Sequence, residues 1–541
     1  MRDMPTSPAG NSPGRASGLD VPAARARRLR RQPLTRLFRR VGRLMLLVVL
    51  AGLAWRIVRY ATGFPFWGDE GFVVMNFLLR DFRGMVRAPL EYGQIAPLMF
   101  MWAELAVTRV LGLSEWSMRV LPFLCGAASL VLFAWLARRL LNRRSALLAA
   151  AILAASYYPV RHATEVKPYA GDMLISLGLT SLAWLVVRRP GSVWRWSALA
   201  LLAAIAVWAS YPSAFVIGGL AIYLGWKALR RRSWGALAAT GSYGLVAAAS
   251  FAAMYLLYAR PHAAANEWYW TIQTWQGAFP PLDRPWRIPL WLLEVHTGNL
   301  LAYPFGGNHY GSTFTFLLVV AGFASLWRSR RRETLLLLLA PAAISILAAA
   351  MRRYPYGTSA RVSLHLAPAF CLLAGAGLSA VLRAALPRRM APEGIRAAAL
   401  ALGLGAIVHL AIDVLFPYKL PNNLDNRNAV RSLARQTGQD DQWVVANSVE
   451  PTDYAPFLEG SDAVVFRYYA MRYSPAPARW APRPEQIPAA RGMTWLIYYD
   501  EPKAADQQER RRRLRTYVKA LTDRLGQPAR LSYTYRRRDR R

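Results

Sequence analysis

From residue 44 to residue 416 the chain is a succession of apolar runs near membrane-spanning length, each bounded by a knot of arginines. A helix that crosses a hydrocarbon layer about 30 Å thick needs roughly 20 apolar residues. Runs at 44–61, 119–137, 145–160, 170–187, 197–212, 214–229, 236–258, 311–327, 334–351, 362–382 and 395–416 predict eleven crossings. Short cytoplasmic loops carry an excess of Lys and Arg. The knots Arg138-Arg139 with Arg143-Arg144, Arg188-Arg189 with Arg195, Lys227 with Arg230 to Arg232, Arg328 with Arg330 to Arg332, and Arg383 with Arg388-Arg389 are therefore read as cytoplasmic. Two apolar runs lie between each neighbouring pair of knots, which places the N-terminus inside and the C-terminus outside.

The run at 95–112 is apolar enough to cross, but a crossing there would put Arg138 to Arg144 outside. It is read instead as a helix lying in or dipping into the outer interface, within a first external loop at 62–118. A second external loop, 259–310, is rich in aromatics, among them Trp268, Trp270, Trp275, Trp286 and Trp291. Such rings sit favourably at headgroup level, so interfacial helices account for most of them and sugar stacking for one or two. From Pro417 onward the apolar runs shorten to strand length, at 443–446, 463–469 and 495–499, with a charged helical stretch near 502–525 and a final strand at 529–535. The expected fold is an all-α polytopic membrane protein, residues 44–416, with a small extracytoplasmic α/β domain at 417–541.

Charge sharpens this picture. The chain has 541 residues, with 68 Lys and Arg against 30 Asp and Glu, a formal charge of +38, yet 54% of it is hydrophobic. A basic soluble protein would suggest a nucleic-acid partner, but here charge and apolar surface are segregated and much of the excess marks topology. Eleven arginines fall in residues 1–43, which lack an apolar core and read as a disordered cytoplasmic tail, retained because it is too long and basic for a cleaved signal. Cys125 and Cys371 lie in apolar runs, so there is no disulfide framework and no zinc signature. Of fourteen carboxylates between residues 44 and 416, only Glu333 and Glu393 fall in expected cytoplasmic loops. The other twelve point to an outward-facing site. Heavy use of Arg over Lys, with abundant Ala, suggests a GC-rich bacterial genome and hence a bacterial inner membrane.

Three polar segments interrupt the apolar pattern at the outer face. Asp69 and Glu70, in Trp67-Gly68-Asp69-Glu70-Gly71, lie a few residues beyond the first run. Acids at a membrane face are candidates for function; a carboxylate here suits a general base for a hydroxyl or a divalent-cation ligand. Acids opening an interfacial helix, where its dipole favours them, explain the same residues. The second segment runs from Tyr157 to Tyr169 and holds Arg161, Glu165 and Lys167. An anionic phosphate suits its cations, and an ion pair of Glu165 with Arg161 across one helical turn is the structural alternative. In the third, Arg352, Arg353 and Arg361 stand on the outer side against the positive-inside trend, with His365 beyond them. A lipid phosphate or anchoring to anionic headgroups accounts for them. His296 and His309 are isolated and read as structural, and Phe305-Gly306-Gly307-Asn308 supplies polar groups in no assignable pattern.

In order, Gly68-Asp69-Glu70-Gly71, Ala96-Pro97-Leu98, Arg119-Val120-Leu121-Pro122-Phe123, Arg161 through Tyr169, and Tyr354-Pro355-Tyr356-Gly357 with Arg361 and Ala367-Pro368 form a set. With this set the chain resembles the polyprenyl-phosphate-sugar-dependent glycosyltransferases of the GT-C superfamily, near the protein O-mannosyltransferase and lipid A aminoarabinose transferase group. The resemblance implies a GT-C-like fold, a polyprenyl-phosphate-linked sugar as donor, and an extracytoplasmic glycan, lipid or protein as acceptor, with no nucleic acid. It implies Asp69 as general base, Glu70 in the second position of the same motif, and Arg161, Lys167 and Arg361 around the lipid phosphate, with Glu165 and Tyr169 in the same segment. It requires no cofactor and leaves a divalent metal open. Protein mannosyltransferases carry His-Pro-Pro where Gln94-Ile95-Ala96-Pro97 stands here, which argues against a protein acceptor. A transporter or flippase of lipid-linked sugars is the competing reading. It predicts repeats and broken spans with midplane charge, and the sequence shows no repeat. A membrane-anchored binding protein leaves the acids and bases between the spans unexplained.

Overall fold

The computed structural model describes residues 42–264, 275, 277–304, 311–417, 421–438, 440–447, 461–473, 478–480, 487, 493–500, 507–525 and 530–536. The expected disordered tail, Trp268, Trp270, Phe305 to Asn308, His309 and the end of the chain past Arg536 lie outside the described residues. The chain divides into two units, Met1–Leu47 and Val48–Arg541. The first is described only where the helix Arg43–Ala61 begins; everything below concerns the second.

This is a predominantly helical, multi-pass membrane protein with one small sheet. Among the described residues eight helices are long and apolar enough to cross a membrane: Arg43–Ala61, Ser117–Leu140, Tyr169–Arg188, Trp234–His262, Gly311–Arg328, Arg332–Ala350, Leu364–Ala385 and Ala391–Leu415. The other three expected crossings also coincide with helices, but lesser ones. Arg143–Ala154 has 12 residues, about 18 Å at 1.5 Å per residue, and stops where Ser156, two tyrosines and Pro159 break the apolar run. Val193–Ala209 is apolar but has 17 residues, and Ser213–Arg230 ends on Lys227 and Arg230. The doubtful run at 95–112 forms Leu98–Leu111, 14 residues or about 21 Å, short of a bilayer core.

Without a hydrophobic drive between helices in lipid, close packing needs small residues at the contact. Helices Gly311–Arg328 and Leu364–Ala385 meet at Gly322 and Gly377, where a Cβ on either would overlap the backbone of the other helix at Leu373 or Leu318. Buried charge is paired where the first and last spans meet. Arg59, on the first span, donates from Nη1 to Asp413 Oδ1 on the last span (2.5 Å) and from Nε to Thr164 Oγ1 (2.9 Å). Trp55 Nε1 donates to Asp413 Oδ2 (2.8 Å).

Beyond the last span, Pro421–Ala434 is helical and four parallel strands form one sheet in the order β2-β1-β3-β4. These are β1 (Gln442–Asn447), β2 (Ala478–Trp480), β3 (Thr494–Asp500) and β4 (Arg530–Arg536), with the helix Gln507–Leu525 joining the last two. One expectation fails: the run at 463–469 is a helix, Ser461–Tyr473. A short apolar run buried on several sides has no period that separates strand from helix. Val464, Val465, Phe466, Tyr468, Tyr469 and Ala470 are buried, in one core with Val73, Val74 and Phe77 of the helix Gly68–Leu79. The C-terminal segment and the first loop thus share a hydrophobic core.

Candidate active site

The helix Gly68–Leu79 starts two acids into the first loop, with Asp69 and Glu70 in its first turn. Successive helical residues point about 100° apart, so the two carboxylates part company. Asp69 is 24% exposed; its Oδ2 accepts from Arg361 Nη1 at 2.6 Å, and its Oδ1 lies 3.5 Å from Lys167 Nζ. Lys167 donates also to Gln94 Oε1 (3.0 Å), and the Arg361 guanidinium lies over the Trp275 ring at 5.6 Å. Burial alone would raise the Asp69 carboxyl, but Lys167 and Arg361 together hold it below the ordinary aspartate range. Burial lowers the Lys167 ammonium, with Asp69 opposing.

Glu70 is fully buried. Arg119 grips it with both arms, Nε to Oε1 at 3.0 Å and Nη2 to Oε2 at 2.6 Å, and Oε1 accepts from the backbone N–H of Val166 (2.9 Å). Oε2 also accepts, more weakly, from the Trp67 N–H that precedes the helix (3.4 Å). Arg119 reaches on to the carbonyl of Phe64 (2.5 Å). The pair ties the start of the helix and the loop before it to residue 166, which sets Lys167 opposite Asp69. Glu70 thus differs from Asp69 in its surroundings: its oxygens are enclosed.

The third wall is the short helix Tyr157–His162 and the turn after it. Glu165 accepts from Arg161 Nε at 2.5 Å and contacts His162 Nδ1 at 2.7 Å; the ion pair across one turn read from the sequence is present. Arg161, with its side chain 15% exposed, also lies over the Trp67 ring at 5.3 Å. Tyr169 meets His162 edge-on and packs with Trp275 and Val362. Asp69, Glu165, Arg161, Lys167 and Arg361 thus form one electrostatic cluster in which three cations face two carboxylates.

Residues 96–258 match the dolichyl-phosphate-mannose-protein mannosyltransferase family. ArnT from Cupriavidus metallidurans in the apo state aligns with TM-score 0.49 and 15% identity over 89% of this chain and 89% of that one. The same protein bound to undecaprenyl phosphate aligns with TM-score 0.46 and 14% identity, over 80% and 89%. The Archaeoglobus fulgidus oligosaccharyltransferase in complex with Zn and sulfate aligns with TM-score 0.46 and 12% identity, over 78% of this chain and 61% of that one. No curated protein matches this chain.

The three arginines expected on the outer side separate. Arg361 joins the cluster, whereas Arg352 and Arg353 are exposed. His296 is bonded at both ring nitrogens, its Nδ1 on the Leu292 carbonyl (2.6 Å) and its Nε2 on the Tyr356 hydroxyl (3.1 Å). Arg119 is the residue that the sequence offered as a motif but not as part of the site; its signal was an arginine opening a span on the outer side. Among the described residues no three of His, Cys, Asp and Glu are arranged to hold a metal ion.

Acid should loosen this wall in two stages. Burial holds the His162 imidazole below its ordinary value, with Glu165 opposing. A depressed histidine is neutral in the fold, so stability is lost as pH falls below the unfolded value of about 6.5. Burial would raise Glu165, but Arg161 and His162 hold it well below the ordinary range. Its contribution is complete above about pH 4.3 and is lost as pH falls through the lower folded value. The melting temperature of the solubilised protein should decline from pH 7 to 5, and His162→Gln should flatten that limb. An unchanged slope in the variant would assign the decline elsewhere.

Proposed function

We propose that this protein is a glycosyltransferase that moves a sugar from a polyprenyl-phosphate carrier to an acceptor hydroxyl on the outer side of the membrane, by a single inverting displacement. The observation that carries the proposal is the part-exposed Asp69 carboxylate bracketed by Lys167 and Arg361 from two other parts of the chain. Three cations against two carboxylates leave one positive charge in excess, which suits the single negative charge of a phosphodiester donor. Phosphate oxygens take Arg361 and Lys167, with Arg161 beside them, and these cations stabilise the charge that grows on the leaving phosphate. As the phosphate draws the cations away, Asp69 loses what depresses its basicity and becomes able to accept the acceptor's proton. The acceptor oxygen bonds to the anomeric carbon as the bond from that carbon to the phosphate oxygen breaks, releasing polyprenyl phosphate.

Magnitudes favour this exchange at Asp69 over Glu70. The Asp69 contacts are part-exposed and open to substrate, whereas removing one partner of a buried pair such as Glu70–Arg119 costs about 3–5 kcal/mol.

The test uses purified protein in nanodiscs with a panel of undecaprenyl-phosphate-linked sugars and candidate acceptors, following release of undecaprenyl phosphate. Arg361→Ala and Lys167→Ala should each raise KM for the donor about tenfold or more, the loss of one charge-assisted contact of about 1.5–3 kcal/mol. Donor that crosses the bilayer but is never cleaved would instead support the flippase reading. An unchanged KM in both variants would move the phosphate elsewhere.

A further inference from the structure

The C-terminal helix Ser461–Tyr473 touches the first loop at three places that flank the Asp69 cluster. Before Asp69, the backbone N–H of Phe66 donates to the Tyr469 hydroxyl (3.0 Å), which donates in turn to Glu115 Oε1 (3.2 Å). The same oxygen accepts from Arg427 Nη1 (3.0 Å), and Arg427 also donates to the Gly63 carbonyl (2.8 Å). Glu115 is 3% exposed and Phe66 is fully buried, its ring edge-on to Tyr468. After Asp69, Gly71 has no side chain because Val465 fills the space: a Cβ there would sit 2.8 Å from Val465 Cγ2. At the third place Arg467 Nη1 donates to the Tyr92 hydroxyl (2.8 Å), two residues before the Gln94 that holds Lys167.

We infer that the C-terminal domain is a clamp on the transfer site, in which Tyr469, through Phe66, and Val465, through Gly71, set the position of Asp69. The second glycine of the Gly-Asp-Glu-Gly motif is thereby assigned to a domain contact. A domain that merely anchored itself to the loop would need no bond to the backbone three residues before Asp69. Nor would it fit a side chain against the helix two residues after. These residues touch no reacting group and act through Asp69. The inference rests on the proposed role of Asp69, so its test separates the two.

Full-length protein in nanodiscs is assayed for release of undecaprenyl phosphate from the donor, for binding of undecaprenyl phosphate alone, for melting temperature, and for hydrogen exchange of the peptide covering residues 64–72. Tyr469→Phe leaves the buried Phe66 N–H without an acceptor; kcat should fall about tenfold, with KM for the donor and the affinity for undecaprenyl phosphate within about twofold. Exchange at residues 66–71 should quicken. Gly71→Ala should lower kcat by about tenfold or more, since a misplacement near 1 Å costs up to about a hundredfold. Val465→Ala added to Gly71→Ala should restore at least about fivefold of the loss. A double variant as slow as Gly71→Ala, or Tyr469→Phe at the wild-type kcat and exchange rate, overturns the clamp. If Gly71→Ala does not fold, Tyr469→Phe decides. If Asp69→Asn turns over normally, the base assignment falls while the rescue pattern still reads the clamp. If no donor is cleaved at all, the exchange rates decide it.

Discussion

Asp69→Asn should reduce sugar transfer by a factor of about 10²–10⁴, the usual contribution of a general base, while leaving the protein folded and able to bind undecaprenyl phosphate. The asparagine keeps the shape of the side chain and can still accept from Arg361, so the contact that is 2.6 Å long in the wild type is weakened rather than removed. What it cannot do is take a proton. The expected signature is therefore a kcat effect with donor KM changed by less than the Arg361→Ala effect, because the phosphate contacts gain two cations no longer neutralised by Asp69. A variant that transfers at the wild-type rate would remove Asp69 from the chemistry. One that loses undecaprenyl phosphate binding as well would make it a binding residue.

Glu70→Ala should have the opposite character. It leaves the Arg119 guanidinium buried at 1% exposure without the Glu70 counter-charge, with only carbonyl oxygens as hydrogen-bond partners and the Phe64 and Phe66 rings beside it, and orphans the Val166 N–H, for a loss of about 3–5 kcal/mol. In a detergent melt this variant should unfold well below the wild type, or fail to accumulate, whereas Asp69→Asn, part-exposed and still able to accept from Arg361, should melt closer to the wild type. Two neighbouring acids in one motif then separate into one that governs rate and one that governs stability. Equal melting behaviour of the two variants would show that Glu70 does not hold the loop.

Much of this was written in the sequence, for reasons that differ from place to place. Apolar length and arginine knots locate helices because a bilayer imposes both, and every expected crossing coincides with a helix. The count was less legible: Ser156 to Pro159 cut one run short, and no sum of hydropathy says how long a helix stays intact. Arg161 with Glu165 was readable because four residues make one turn. Asp69 with Arg361 was not, since 292 residues separate them and only tertiary packing brings them together. Asp69 and Glu70 looked equivalent because composition does not say which side of a helix faces inward. The helix at Ser461–Tyr473 looked like a strand because its partner, the helix at Gly68–Leu79, lies far upstream. Arg352 and Arg353 looked like companions of Arg361, yet only Arg361 joins Asp69.

The tie between the first and last spans fixes an order of events during synthesis. Arg59 is made early, but its acceptor Asp413 follows 354 residues later, roughly 20–70 s at an elongation rate of about 5–20 residues per second. For that interval the first helix holds its guanidinium without this counter-charge. The bundle is closed only when the final helix arrives, so a nascent chain truncated before Asp413 carries an open seam.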